Sequence, residues 1–126
     1  MQGIGYRVIK SYKELTVYQK AYELSLQVYK ATETFPPEEK FGLISQMRRA
    51  AVSIPCNIAE GYRRRGRKEY IQFLHIALGS CSELETLISL SKDLNMIENT
   101  NYSSLYIIQE EVSKMLNALI TSLVKD

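Results

Sequence analysis

Apolar residues recur along most of this chain at spacings of three and four, the period of an α-helix rather than of a strand. Val17, Tyr18, Ala21, Leu24, Ser25 and Val28 predict a first helix from about Leu15 to Thr32. It ends at "FPP", because Pro36 and Pro37 cannot continue it. Pro37 followed by Glu38 and Glu39 predicts the next start, since the fixed φ and the acids both suit an N-terminus. This second helix is expected to run to about Arg64, with Phe41, Ile44, Ala51, Pro55, Ile58 and Tyr62 inward. Gly66 marks a turn. A third helix, from about Lys68 to Asp93, carries Tyr70, Leu74, Ala77, Cys81, Leu84, Ile88 and Ser91, the alternation of a bundle seam. Asn95 and the stretch from Asn99 to Asn101 punctuate the next turn. A fourth helix, from about Tyr102 to Val124, turns Leu105, Ile108, Val112, Met115 and Leu119 inward.

Four long helices with short connections predict an all-α fold, an up-down-up-down four-helix bundle over residues 13–126 behind an N-terminal arm, residues 1–12. The length of 126 residues suits one domain, and 45% hydrophobic with 24% charged residues suits an ordinary core. No apolar run approaches the roughly 18 residues that cross a bilayer. The opening "MQGIGYRVIK" lacks the apolar core of a secretory signal, so a cytoplasmic protein with no membrane partner is expected. Cys56 and Cys81 stand apart, with no CxxC spacing. They read as reduced thiols filling core or interface space.

Two helices carry more apolar surface than a lone bundle needs. On the second, Ala50, Val52, Ile54 and Ala59 widen the apolar arc, and Arg49, Ser53, Cys56, Asn57, Glu60 and Arg64 form a small or polar back face. On the third, Ile76, Leu87, Leu90 and Leu94 form a second stripe. Such a helix usually has a partner, which points to a homo-oligomer with Ile76, Leu87, Leu90, Asn57 and Glu60 at its interface. Pro55 sits mid-helix without an N–H. The carbonyl of Ala51 therefore loses its helical donor and a kink is expected, with Asn57 a polar partner for the kink across a subunit boundary. Glu60 is placed to pair with Arg64.

Net charge alters the picture only when it is located. The chain totals +2, yet residues 48–68 hold seven cations and one acid. A local basic cluster suggests a polyanion-facing spot. Arg63, Arg64, Arg65, Arg67 and Lys68, with Arg49, are the candidate nucleic-acid-binding residues. Cations near a helix C-terminus are favourable in themselves, but that effect does not extend to Arg67 and Lys68 beyond Gly66. Arg48 flanks the seam and is expected to pair with an acid such as Glu85. Tyr62 and Tyr70 flank the cations and could stack on bases, although both lie on seams. Catalysis finds little support. The one histidine, His75, follows Gln72, so the Glu-x-x-His of di-iron bundles is absent. Glu110 and Glu111, like Glu83 and Glu85, point apart on a helix. No enzyme activity, metal or cofactor is implied.

The segments "LTVYQKAYEL", "FPPEEKFGLISQMRRAAVSIPCNIAEGYRRR" and "FLHIALGSCSELETLI" resemble the four-helix-bundle proteins of the 23S rRNA intervening-sequence family, across roughly residues 12 to 123. The accessory protein of diversity-generating retroelements is a distant relative. The resemblance implies a ring-like homopentamer of four-helix subunits that binds nucleic acid without known catalysis. The chain departs from the family pattern at Tyr18, where Trp is usual, and at Cys56, where a small residue such as Ser is usual.

Two readings of function follow. The first is a non-catalytic, homo-oligomeric nucleic-acid-binding protein, RNA favoured, because arginine's planar fork suits phosphate. The second is a protein-interaction adaptor whose basic end docks an acidic partner such as a reverse transcriptase or another nucleic-acid enzyme. An enzyme is the weakest reading.

Overall fold

The computed structural model describes residues 10–125. The arm expected over residues 1–12 falls largely outside the described residues. Four helices account for most of the rest: α1 (Thr16–Thr32), α2 (Leu43–Tyr62), α3 (Arg67–Asp93) and α4 (Asn99–Lys125). Among the described residues there is no strand. Each helix packs on the next in sequence, and α4 closes the circuit against α1. The core lies between them, with Leu24, Met47, Ile54, Ile58, Leu74, Leu84, Ile88 and Leu116 fully buried.

Local chemistry sets the ends. Ser11 caps a 3-10 turn at Tyr12–Glu14 by accepting from the Lys13 N–H at 3.1 Å, and α1 follows directly. At the end of α1, the buried Thr32 hydroxyl donates back to the Val28 carbonyl at 2.8 Å. α3 ends in a Schellman motif. Asn95 adopts φ 62, its N–H reaches the Lys92 carbonyl, and the Met96 N–H reaches that of Ser91. Asn is among the few side chains that accept this left-handed conformation.

The start of the second helix differs from expectation. Pro37–Glu39 forms only a 3-10 turn, and α2 begins at Leu43 after a break at Gly42. Glu39 Oε1 accepts from the Leu43 N–H at 3.2 Å, giving α2 its N-terminal cap from the preceding turn. A Cβ at position 42 would lie 2.8 Å from that same carboxylate oxygen, so glycine keeps the cap in place. One result is that Phe41, assigned to the seam by spacing, is 88% exposed. The inward face of α4 also shifts. Leu116 and Ile120 are buried where Met115 and Leu119 were expected, and both of those are half-buried. A straight helix of 3.6 residues per turn carries the stripe forward by fours here, away from the 3.5 period of a coiled coil.

Helix α2 touches both α1 and α3, which accounts for its wide apolar arc. Ala50 and Ile54, expected to lie beyond the seam, are core residues. Leu87, expected at an oligomer interface, is likewise only 7% exposed and packs in the chain's own core. Cys56 fills no core space: it is exposed, while Cys81 is buried and both are free thiols. Burial pushes the Cys81 thiol up to about 11 from its ordinary 9.0, opposed by a hydrogen bond with Ser113.

α2 continues unbroken through Pro55. The donor that replaces the missing N–H is not Asn57. Ser25 on α1 donates its hydroxyl to the Ala51 carbonyl at 2.9 Å and to its own Ala21 carbonyl at 3.2 Å. Asn57 instead donates to the Ser53 carbonyl and hydroxyl, one turn away. Its side chain is short enough to be satisfied within α2, and α1 lies on the other side, where the freed carbonyl opens. Ser25→Ala is expected to cost about 1–2 kcal/mol, because it orphans a buried carbonyl. In a Pro55→Ala background, where the helical N–H returns, the same change is expected to cost well under half of that. Urea denaturation of the four proteins of this double-mutant cycle measures the difference.

Candidate nucleic-acid interface

The cationic stretch lies at the turn between α2 and α3. Arg63 is the C-cap of α2, in helical conformation, and its N–H still reaches the Ala59 carbonyl at 3.3 Å. The Arg64 N–H closes on the Gly61 carbonyl at 3.0 Å. Gly66 then opens the chain to an extended conformation and serves as the N-cap of α3, with no side-chain cap. Arg67 and Lys68 are therefore the first two residues of α3.

The turn is held from below by close packing. Gly61 is buried, and a Cβ there would lie 2.7 Å from Phe73 Cβ and 3.3 Å from the Tyr70 carbonyl oxygen. Neither atom can swing away, so the absence of a side chain is what lets α2 and α3 meet here. Tyr62 and Tyr70 meet edge to face at 6.1 Å, both half-buried. Burial, with Tyr62 beside it, raises the Tyr70 phenol above its usual range.

The cations divide into two groups. Arg64 pairs with Glu60 at 2.6 Å, as the spacing of four predicts, and its guanidinium lies 4.8 Å from the centre of the Phe73 ring. Arg63 lies 5.2 Å from the centre of the Tyr12 ring. Both are engaged within the chain. Arg65, Arg67 and Lys68 are exposed and make no ion pair with any described residue. Arg67 and Lys68 also sit where the helix macrodipole is positive, which disfavours cations. Only Glu69 offsets them in that first turn. Helix stability thus gives no reason for their presence.

Not every candidate is brought together. Arg49 is exposed but lies fourteen residues before Arg63 along α2, about 21 Å at 1.5 Å per residue. It borders a shallow polar recess with Ser53, Ser80 and Glu83, in which Ser80 donates to Ser53 at 2.8 Å. Arg48 does not pair with Glu85. Its Nε donates to the Thr32 hydroxyl at 2.9 Å, an Nη donates to the Tyr29 carbonyl at 3.3 Å, and the group lies over the Tyr29 ring. Glu85 accepts instead from the Tyr106 hydroxyl at 3.2 Å. Ile76 and Leu90 are about half exposed on α3. Among the described residues no three His, Cys, Asp or Glu side chains cluster as a metal site, and His75 is exposed. No helix among those residues is long and apolar enough to cross a membrane.

Spacing alone missed one feature. Tyr22, Leu26 and Tyr29 are exposed on α1, four and three residues apart, outside the seam. That second stripe was present in the sequence on the first helix.

An all-α fold of four helices, with three exposed and unpaired cations close together at the α2–α3 turn, is the class defined by this geometry. The chain belongs to the 23S rRNA-intervening sequence protein family, which it matches over residues 13–118. A solved structure from Bacteroides thetaiotaomicron, a protein with unknown function from the S23 ribosomal protein family, is similar at 27% identity and a TM-score of 0.76. The match covers 83% of this chain and 98% of that one. No curated protein matches the chain.

Gly61→Ala tests whether the turn depends on the close approach of α2 and α3. Alanine favours the helix by up to about 1 kcal/mol. The clash with Phe73 and the Tyr70 carbonyl is expected to outweigh this and destabilise by about 1–3 kcal/mol. Chemical denaturation gives the sign: a stabilised variant would show that the helices can separate at no cost.

Proposed function

We propose that the protein is a non-catalytic, homo-oligomeric nucleic-acid-binding protein, RNA favoured, that contacts the phosphate backbone through the α2–α3 turn. The observation that carries this reading is the set of three exposed, unpaired cations, Arg65, Arg67 and Lys68, two of them against the local helix dipole. An anion at this turn would meet the cations and the open N–H groups of α3 together. Arg63 and Arg64 contribute to the field, but their rings and Glu60 hold them in place. Arg49 lies too far along α2 to act in the same contact.

Family membership supports the reading without assigning a target. The subunit is read as an up-down-up-down bundle, supported by contacts whose order runs in opposite directions along neighbouring helices. Ser25 meets Ala51 while Thr32 meets Arg48, and Met47 meets Ser91 while Ser53 meets Ser80. Self-association is assigned to the exposed part of the α3 stripe, Ile76 and Leu90, without Leu87. A ring would repeat the cationic turn once per subunit and raise avidity without new contacts.

Replacing Arg65, Arg67 and Lys68 together by Gln tests the binding site. RNA binding is expected to weaken strongly and the log–log salt slope to fall by about 0.7–0.9 per lost phosphate contact, with helicity unchanged. A variant that binds RNA as tightly as the parent overturns the assignment. The self-association surface is tested separately. Ile76→Glu with Leu90→Glu is expected to lower the mass seen by light scattering while the subunit stays folded. Leu87→Glu is expected to unfold it, because that charge would be buried without a partner.

A further inference from the structure

Between α1 and α2 runs an open cleft of about 440 Å³, within the roughly 300–1,000 Å³ range of ligand clefts. Its α1 wall carries Tyr18, Tyr22, Leu26 and Tyr29, and α2 contributes Val52 and Cys56. Tyr12 extends the aromatic wall. The Tyr12 and Tyr18 rings meet edge to face at 4.9 Å, and Tyr18 leans on Tyr22 at 6.1 Å. Tyr22 and Leu26 are more than half exposed.

Charge fixes the kind of occupant. The Arg63 guanidinium lies over Tyr12 at one end of this wall, and Arg48 lies 4.5 Å from the centre of the Tyr29 ring at the other. Among the described residues no carboxylate lines the cleft. Arg63 also belongs to the cationic turn, so the turn and the cleft are continuous. A partner that fits must offer flat apolar groups along its length and negative charge at both ends.

We infer that the cleft is a stacking platform for the bases of single-stranded nucleic acid, entered from the cationic turn at Arg63. This rests on the nucleic-acid reading of that turn and adds strand selectivity to it. Tyrosine rings accept any base face, so the platform carries no sequence preference. A duplex keeps its bases paired and can use the turn but not the cleft.

The test uses the full chain with two probes, a fluorescein-labelled oligouridine strand and an RNA duplex of the same length. Tyr22→Ala with Tyr29→Ala is expected to weaken the single strand at least about tenfold, on the scale of one or two lost stacking contacts. The duplex is expected to bind unchanged, and Tyr22→Phe with Tyr29→Phe to bind both probes like the parent. The Arg65, Arg67 and Lys68 variant is expected to lose both. With nine tyrosines and no tryptophan, intrinsic emission reports tyrosine, and oligouridine is expected to quench it where the duplex does not. A parent that binds neither probe overturns the function proposed above and this inference with it. A parent that binds both, with an Ala variant that holds oligouridine as tightly, overturns the cleft alone. So does an Ala variant that loses both probes equally, or one whose sedimentation mass falls, since the cleft would then be a contact between copies. If the Ala variant loses its helical circular dichroism, unquenched emission from the parent at saturating oligouridine overturns the inference.

Discussion

The bond from Ser25 to the Ala51 carbonyl is the constraint on which the arrangement of the helices depends. A buried proline in the middle of α2 leaves a carbonyl that no group on α2 satisfies. Burying it without a partner would cost as much as a good hydrogen bond provides. Because the donor comes from α1, the requirement fixes how far α1 slides along α2. α2 in turn meets α3 through Ser53 and Ser80, and through the Gly61 contact at the turn. Polar satisfaction on one side and steric closeness on the other therefore set the position of the central helix.

That arrangement separates two roles. Apolar side chains of α2 serve both neighbours, and Gln46, Arg49, Val52, Cys56 and Glu60 are its exposed positions. Cations gather at its end, where the chain turns and side chains meet solvent. Of the five cations there, two are engaged with aromatic rings, one of them also with a carboxylate, and three are not. The engaged pair stiffens the turn that presents the others.

Much of this was legible in the sequence. Helix number, the inter-helix turns and most inward positions follow from spacing, because burial repeats with the helix period. The Glu60–Arg64 pair follows from a separation of four. What spacing could not supply was which side of a helix meets which neighbour. Ile54, Ala50 and Leu87 looked surplus because the two-sided packing of α2 and the depth of α3 are tertiary facts. The donor for Ala51 was sought nearby in sequence, at Asn57, while it lies twenty-six residues back, at Ser25. The late start of α2 reflects Gly42 and its Glu39 cap, which override a favourable Pro-Glu-Glu beginning. The aromatic cleft was hidden for a different reason: tyrosine serves cores and surfaces alike, and only exposure tells them apart.

The placement of Arg67 and Lys68 at the head of α3 has a consequence for the whole molecule. Repulsion between these charges and the helix terminus raises the free energy of the folded chain and leaves the unfolded chain nearly untouched. Any counter-ion that gathers at the turn relieves it only in the folded state. This contribution depends on the ionic surroundings in the opposite sense to the exposed Glu60–Arg64 pair beside it. Added salt screens an unfavourable term here, so moderate ionic strength relieves the crowding of positive charge at the head of α3.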